Sequence, residues 1–348
     1  MAIITNYQQV KEIYQEAGEK KIALPAFCAE DRETLEAILA AAYELGEELG
    51  IKDLPIVPAW TGRYPFRKQM TLVSATKDPH VGMELMFSDL DVFAGKYGQY
   101  RNLKILPHFD HAFPWIDGDL LVEYADRFAS VMCDASERPF EENIKLTCEY
   151  VEKVKGRVVV EGGVDEVFEA GGNEFKNVLT TVEQAKKFVT ETGVDLIVPN
   201  VGTEHRSTTD KAEYCSPRAH AISQSVGNMM CIHGASSVKR EDLSRLPKDG
   251  FVKVNIFTTL AVNGGQGLVD FVLKNVGNVF GAEKLKEYVD QGILGKAVLE
   301  PDFEGTDGGV IKTKLNYVAN PMRRDVWFNI VKDMCKEFLK IFNYASFA

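Results

Sequence analysis

This 348-residue chain lacks several patterns that assign a protein to a familiar class. Its six cysteines include no CxxC pair, and a chain of this length does not need disulfides to hold its core together. No apolar run approaches the ~18 residues that a membrane helix needs, and the opening MAIITNYQQVKEIYQEAGEKK acquires charge too early for a secretory leader. We therefore expect a soluble, cytoplasmic protein with reduced thiols and no membrane partner.

Basic residues are fewer than acidic residues, and the formal net charge is −11. This acidic balance disfavours nucleic acid and anionic membranes as partners. The chain has no GxGxxG after its first predicted strand and no GxxxxGKS/T, so the usual nucleotide-binding fingerprints are absent. The glycine-rich VNGGQG at 262–267 lacks their spacing, and we predict that it forms a loop. An anionic substrate must therefore be held by local groups.

The chain does contain eight short β-rich runs, which alternate with longer segments of helical periodicity. These runs are largely continuous apolar stretches and do not alternate between apolar and polar residues. They are therefore typical of strands buried on both faces, as in a parallel sheet covered by helices. Eight such units predict an α/β fold of the (β/α)₈ TIM-barrel type with a C-terminal extension. The predicted strands cover 21–27, 54–60, 103–109, 128–133, 157–163, 194–200, 228–234 and 251–256.

Helix signals separate these strands. Segment 31–49 places Leu35, Ile38, Leu39 and Ala42 on one face, and segment 180–193 begins with a threonine cap and closes on Gly193. We expect residues 1–348 to form a single barrel domain. Within it, 262–348 is predicted to be a partly loop and partly helical extension, which packs on the barrel or on a partner subunit.

Ionisable residues concentrate at the carboxyl ends of the predicted strands, where the active site of such a barrel lies. They are Asp110, His111, Asp134, Glu161, His205 and His233, with Asn255 beside them. Three of only six histidines stand on this rim, and three imidazoles suit a divalent ion such as Zn²⁺ with an open position for substrate. We interpret His80 and His220 as structural, whereas the role of His108 is open.

Several of these stretches together resemble the class II, metal-dependent fructose-bisphosphate and ketose-bisphosphate aldolases. The stretches, in order, are HFDHA, FASVMCDASERPFEENIKLT, TGVDLIVPNVGTEH, CIHGASS and KVNIFT, and the resemblance runs from about Ala26 to Thr259. It implies a (β/α)₈ barrel, a retro-aldol reaction on a phosphorylated ketose in carbohydrate metabolism such as glycolysis, and a homodimer.

The resemblance also implies catalytic roles. Asp110 matches the acid/base that takes the proton from the C4 hydroxyl during cleavage, and Asn255 matches the residue that positions the enediolate. The loop glutamate that exchanges the proton at C3 falls at Glu169, with Glu166 as the second candidate. The implied ligands of Zn²⁺, or of another divalent metal, are His111, His205 and His233.

Substrate contacts are implied as well. The positions that match contacts to substrate or to its C1 phosphate are Thr61, Gly234, Ser236 and Thr258. Gly234 would let the backbone approach the phosphate. Asp134 and Glu161 match acidic positions beside the metal, where each either holds a second cation or makes a strand-end hydrogen bond or ion pair.

The chain departs from the family pattern mainly at its anion-binding positions. The departures are Cys28 and Asp31 in place of amides, Arg206 in place of a glycine, Ala235 and Ser237 in place of phosphate-loop glycines, and Asp325 in place of a distal-phosphate arginine, with Arg323 and Arg324 shifted upstream. The chemistry is expected to survive while the substrate differs. Because Arg206 can donate a planar fork of hydrogen bonds, we hypothesise that it takes over part of the anion recognition.

Three readings of the function follow. The first is a zinc-dependent aldolase that reversibly cleaves a phosphorylated or otherwise anionic ketose to a dihydroxyacetone-phosphate-type fragment and an aldehyde. The second is a non-catalytic relative that binds a sugar phosphate, and the third is a metal-dependent isomerase or epimerase on the same barrel. Product analysis separates them, since they give two carbonyl fragments, no conversion, or an isomer of the sugar.

Overall fold

The computed structural model describes residues 2–166, 178–205, 207, 212–300, 317 and 325–348. The chain forms two compact units, of which the first comprises Met1–Thr259 with Cys335–Ala348 and the second Leu260–Met334. The expectation of a single domain with an extension from residue 262 remains a prediction.

The first unit contains a closed parallel barrel of eight strands, as the sequence predicts. Strand β1 pairs with β2 on one side and with β9 on the other, and the remaining neighbours follow in the order β9-β8-β7-β6-β5-β4-β2. The strands are β1 (Leu24–Cys28), β2 (Pro55–Trp60), β3 (Lys104–Ile105), β4 (His108–Ala112), β5 (Ser130–Cys133), β6 (Val159–Gly163), β7 (Leu196–Val198), β8 (Met230–Ile232) and β9 (Phe251–Ile256).

Burial on both faces explains why the strands read as continuous apolar runs. Every residue of the eight barrel strands is buried, and each predicted run overlaps an observed strand. The third run is interrupted at Pro107, which has no N–H to donate to the sheet, so that a short β3 precedes β4. Strand β3 pairs with β2 and forms a bridge with Ile3, and it is not one of the eight strands that close the barrel.

The helices begin and end at the signals that the sequence contains. Helix α2 starts at the cap Asp31 and ends at Gly50 in the left-handed conformation, while α7 has a capping box between Thr181 and Gln184 and ends at Gly193. The helices are α1 (Tyr7–Glu19), α2 (Arg32–Leu49), α3 (Gln69–Leu72), α4 (Pro79–Ala94), α5 (Pro114–Glu123), α6 (Phe140–Val154), α7 (Val182–Thr192), α8 (Ser216–Val226), α9 (Arg240–Leu243), α10 (Thr258–Lys274), α11 (Val276–Val279), α12 (Ala282–Asp290) and α13 (Trp327–Ile341).

The prediction of a loop at VNGGQG, residues 262–267, is wrong. This segment lies inside α10, where Gly264 and Gly267 stand one turn apart. A Cβ atom on Gly264 would lie 2.9 Å from the ring of Trp327, and one on Gly267 would overlap Ile330. The glycines therefore permit a close approach between two helices of the second unit, and this packing outweighs their poor helix propensity.

Two further expectations concern compartment. All six cysteines are free thiols. Among the described residues, no helix combines the length and the apolarity that crossing a bilayer would require. The loops predicted after residue 292 fall largely outside the described residues.

Candidate active site

A cavity opens at the carboxyl ends of the barrel strands and encloses about 550 Å³, counting the part that is open to solvent. Most of the predicted site residues meet there. Those in its wall are Asp110, His111, His205, His233, Gly234, Ser236, Asn255 and Thr258. The sequence therefore located the cavity, and strands β4, β8 and β9 with their following loops supply most of its wall.

The three predicted metal histidines form one cluster. One nitrogen from each of His111, His205 and His233 can be chosen so that all three lie within 4.8 Å of one another, and His111 Nε2 lies 3.0 Å from His233 Nδ1. Nitrogen ligands bind Zn²⁺ at about 2.0–2.1 Å, so tetrahedral ligands stand somewhat more than 3 Å apart. The cluster thus fits a divalent ion of this size.

Carboxylates hold two of these rings from behind. Asp134 Oδ2 lies 2.8 Å from His111 Nδ1, and Glu161 Oε1 lies 2.9 Å from His233 Nε2. Such contacts fix the orientation of a metal-binding imidazole and raise its basicity. The strand-end hydrogen bond that was one alternative for both acids is what the structure shows. A second cation at these acids remains a prediction.

The backbone at His111 departs from ordinary strand geometry. Its φ is +46°, and the pairing of β4 with β5 shifts register between Phe109 and Ala112. Tyr64 stacks on the His111 ring, with the centroids 4.6 Å apart and the planes 9° from parallel. A left-handed conformation at a residue other than glycine is costly and is often kept where it directs a functional side chain. Here it accompanies a ring that belongs to the histidine cluster.

Asp110 is almost completely buried and accepts hydrogen bonds on both of its oxygens. Asn255 Nδ2 donates to Oδ1 at 2.7 Å, while Arg67 donates from Nη2 to Oδ2 at 2.6 Å and Cys28 Sγ lies 3.5 Å from Oδ2. Burial would raise the pKa of Asp110, but the nearby charges of His111 and Arg67 outweigh burial and hold the pKa well below its usual value. The residue is therefore a carboxylate at neutral pH.

Lys253 is a buried site residue that the sequence reasoning missed. Its Nζ donates to Glu161 Oε2 at 2.7 Å and to Asn255 Oδ1 at 2.6 Å. Because the ammonium can only donate, it fixes the amide oxygen of Asn255 toward itself and leaves the amide N–H groups for Asp110. Burial acts to raise the pKa of Glu161, but the charge of Lys253 and the hydrogen bond with His233 together hold this pKa below its ordinary value, so the acid stays ionised. A lysine inside the apolar run FVKVNI was the available signal.

The loops that carry His205 and His233 are fastened to each other. Ser237 Oγ donates to Gly234 O at 2.7 Å and accepts from Glu204 N at 3.0 Å, and Thr203 Oγ1 donates to His233 O at 2.7 Å. Gly234 has a φ of +68°, and a Cβ there would lie 2.5 Å from Glu204 O. The serine that replaces a family glycine thus joins the two loops, and Gly234 is needed for their close approach.

Thr61 is a predicted substrate contact that the structure places outside the cavity wall. The hydroxyl of Thr61 donates to Arg67 O, and the Thr61 N–H donates to Gln69 Oε1 at 2.8 Å. Glu169 and Arg206 lie outside the described residues. The second candidate for the loop glutamate, Glu166, accepts from Asn200 Nδ2 through its backbone oxygen at 3.1 Å.

In a parallel (β/α)₈ barrel the active site lies at the carboxyl ends of the strands, and clustered histidines there could hold a metal ion beside the buried carboxylate. The sequence profile described as "Fructose-bisphosphate aldolase class-II" matches residues 8–298. The chain belongs to this family, which confirms the resemblance inferred from its motifs.

Solved structures share the fold at low sequence identity. They include a putative fructose-1,6-biphosphate aldolase from Coccidioides immitis, with a TM-score of 0.64, 19% identity, and 99% of both chains covered. Fructose-bisphosphate aldolase from Campylobacter jejuni has a TM-score of 0.67 and 19% identity, over 99% of this chain and 95% of that one. The YdjI aldolase from Escherichia coli K12 has a TM-score of 0.59 and 19% identity, over 96% of each chain.

Proposed function

We propose that this chain is a zinc-dependent aldolase that reversibly cleaves a phosphorylated or otherwise anionic ketose to a dihydroxyacetone-phosphate-type fragment and an aldehyde. The observation that carries the proposal is the meeting of Asp110 with the three-histidine cluster in one cavity. A pure binding protein has no need of a buried, ionised carboxylate beside a metal site. We further propose a homodimer that acts in the cytoplasm, in carbohydrate metabolism.

The metal supplies electrophilic chemistry in this proposal. A divalent ion held by His111, His205 and His233 would polarise the ketone oxygen of the substrate and stabilise the negative charge that develops as the C3–C4 bond breaks. The family and the nitrogen donors favour Zn²⁺, although other divalent ions accept imidazole ligands.

Side chains then transfer protons and position the reacting groups of the substrate. Asp110 takes the proton of the C4 hydroxyl, the C4–O bond becomes a carbonyl, and the electrons of the C3–C4 bond pass toward the ketone oxygen. Asn255, fixed by Lys253, presents its amide to the donor fragment. Glu169 is proposed to donate a proton to C3 of the enediolate, which converts the donor fragment into a ketone before it leaves.

Phosphate recognition is assigned to another part of the wall. Gly234 and Ser236, at the short 3₁₀ helix Ala235–Ser237, and Thr258, at the start of α10, line the cavity together. Backbone N–H groups and hydroxyls of this kind can bind the C1 phosphate of the donor half. Arg206 and Thr61 stay candidates for further substrate contacts, and Asp134 and Glu161 stay candidates for a second cation.

A cleavage assay tests the proposal. Zinc-loaded protein is mixed with fructose 1,6-bisphosphate or with ketoses that carry one phosphate or a sulfonate, and the products are identified. Two carbonyl fragments are expected, together with loss of activity after chelation and its return with zinc. Asp110→Asn should retain metal and lower kcat about 10²–10⁴-fold. An isomer of the sugar as product, or full activity in verified metal-free protein, would overturn the proposal.

A further inference from the structure

Arg67 lines the cavity and has no role in the proposed reaction so far. Its loop, residues 61–68, joins β2 to α3 and is closed on itself, because Met70 N donates to Thr61 O at 3.1 Å and Gln69 holds the N–H of Thr61. The hydroxyl of Thr61 also holds the carbonyl of Arg67. The backbone of Arg67 is therefore fixed, and its side chain is what can move.

The guanidinium of Arg67 contacts Asp110 and the ring of Phe257. Its Nη2 donates to Asp110 Oδ2 at 2.6 Å, and its central carbon lies 4.2 Å from the centroid of the Phe257 ring. The side chain is 13% exposed, and its buried Nε has no hydrogen-bond acceptor within the described part of the chain. Since arginine carries five N–H donors and Arg67 lines the cavity, donors remain for a ligand.

We propose that Arg67 binds an anionic group on the aldehyde half of the ketose, and that this anion draws Arg67 away from Asp110. The inference rests on the proposed function and names the substrate class for the same site. The C4 hydroxyl must contact Asp110 to lose its proton, and the guanidinium touches that same carboxylate. A phosphate or carboxylate carried a short distance beyond C4 therefore reaches Arg67.

Competition for Asp110 gives this contact a second effect. Asn255 donates to one oxygen of Asp110, while Arg67 and Cys28 contact the other, so the C4 hydroxyl must compete with these donors for the carboxylate. A ketose with a neutral aldehyde half offers Arg67 no better acceptor. An anionic ketose offers a bidentate one, binds more tightly, and frees the carboxylate in the same step. Selectivity should then appear in both KM and kcat.

The test compares three ketoses on zinc-loaded enzyme: fructose 1,6-bisphosphate, the analogue of fructose 1-phosphate that has a carboxylate at C6, and fructose 1-phosphate itself. Wild type should prefer at least one anionic ketose over fructose 1-phosphate in kcat/KM by about 10- to 100-fold, and the phosphate and carboxylate arms identify which anion. Arg67→Gln should lose this preference, because its kcat/KM should fall more for the anionic ketoses than for fructose 1-phosphate.

Two further variants sharpen the result. Lys68→Gln removes the same charge from the next, exposed residue of the loop and should keep the preference of the wild type. Arg67→Lys keeps the charge without the planar fork and should keep only part of it. An equal loss on all three ketoses in folded Arg67→Gln, or a wild type that treats them alike, would overturn the inference.

Calorimetric binding of the same three ketoses separates this inference from the proposed function. If no ketose is cleaved, the proposed function fails. Tighter binding of an anionic ketose that disappears in Arg67→Gln would still establish that Arg67 binds the anion. Equal dissociation constants for all three in wild type would refute it, whatever the cleavage assay shows.

Discussion

His205 is one of six histidines, and its position decides its chemistry. The His205 ring lies 5.1 Å from that of His111 and 5.8 Å from that of His233, measured between centroids, whereas His220 lies on α8 beside Gln224. Three imidazoles that converge can hold a metal ion, whereas the exposed His220 belongs to no such cluster in the described part of the chain.

His205→Ala should therefore lose metal, and His220→Ala should not. Removing a residue that merely orients a ligand costs about 10- to 100-fold in metal affinity, so removing a ligand should cost at least about 100-fold. Elemental analysis after dialysis against a metal buffer gives the occupancy of each variant. Equal zinc content in His205→Ala and His220→Ala would remove His205 from the ligand set.

Asp117 is a buried acid whose titration should be visible in stability. Burial raises its pKa to about 6, and the N–H of Arg63 donates to its Oδ1 at 3.0 Å. Because an unfolded aspartate titrates near about 3.9, the folded state binds the proton more tightly between that pH and about 6. The contribution of Asp117 to stability is therefore largest at low pH and is lost as the pH rises to about 6.

Asp117→Asn should abolish this loss. Relative to wild type, the variant should gain about 3 kcal/mol in the free energy of unfolding between about pH 4 and about pH 7. Urea denaturation of both proteins across this range measures the difference. A gap that does not change with pH would show that Asp117 keeps an ordinary pKa in the fold.

The sequence allowed prediction of those site residues whose type and strand-end position suffice to identify them. Asp110, His111 and His233 belong to this group. Arg67 does not, because nothing local shows that its loop folds back toward β4, and Tyr64 on the same loop was missed for the same reason. Lys253 was detectable in principle, since a charge inside an apolar strand needs a buried partner.

At the scale of elements, α10 is a helix although its sequence contains several glycines, which disfavour helix formation. Gly264→Ala should destabilise the second unit by about 1–3 kcal/mol, because the new methyl group meets the ring of Trp327. Gly265→Ala is the matched control, since no described atom lies within 4 Å of its would-be Cβ. It should stabilise the helix by about 0.5–1 kcal/mol.

Urea denaturation followed by circular dichroism measures both alanine variants against wild type. Opposite signs at Gly264 and Gly265 are expected. If both substitutions stabilise equally, α10 and the start of α13 do not pack closely at these glycines.

Element prediction succeeded where a local signal and the tertiary environment agree. Continuous apolar runs become barrel strands because both faces are covered, and α7 begins and ends at its own cap residues. It failed at 262–267, because glycine-rich sequence favours a loop unless another helix packs directly against it. That partner starts at Trp327, about 60 residues away, and no local pattern reveals it.

At the scale of the whole molecule, barrel closure gathers residues that are far apart in the chain. Cys28 lies in β1, Asp110 in β4 and Asn255 in β9, yet Cys28 and Asn255 both form hydrogen bonds with Asp110. Counting eight strand–helix units predicted this closure, because parallel strands in that number favour a barrel over an open sheet. The count could not show which side chains would touch, since that depends on register and on the loops.

The pairing of β1 with β9 also has a consequence in time. During synthesis β1 emerges early and can pair with β2, but its other edge waits for β9, which follows roughly 220 residues later. At the usual ~5–20 residues per second, that edge stays open for roughly 10–45 s. An unpaired strand edge is a template for pairing with another chain. Strand β1 is therefore where a ribosome-associated chaperone would protect the nascent chain longest.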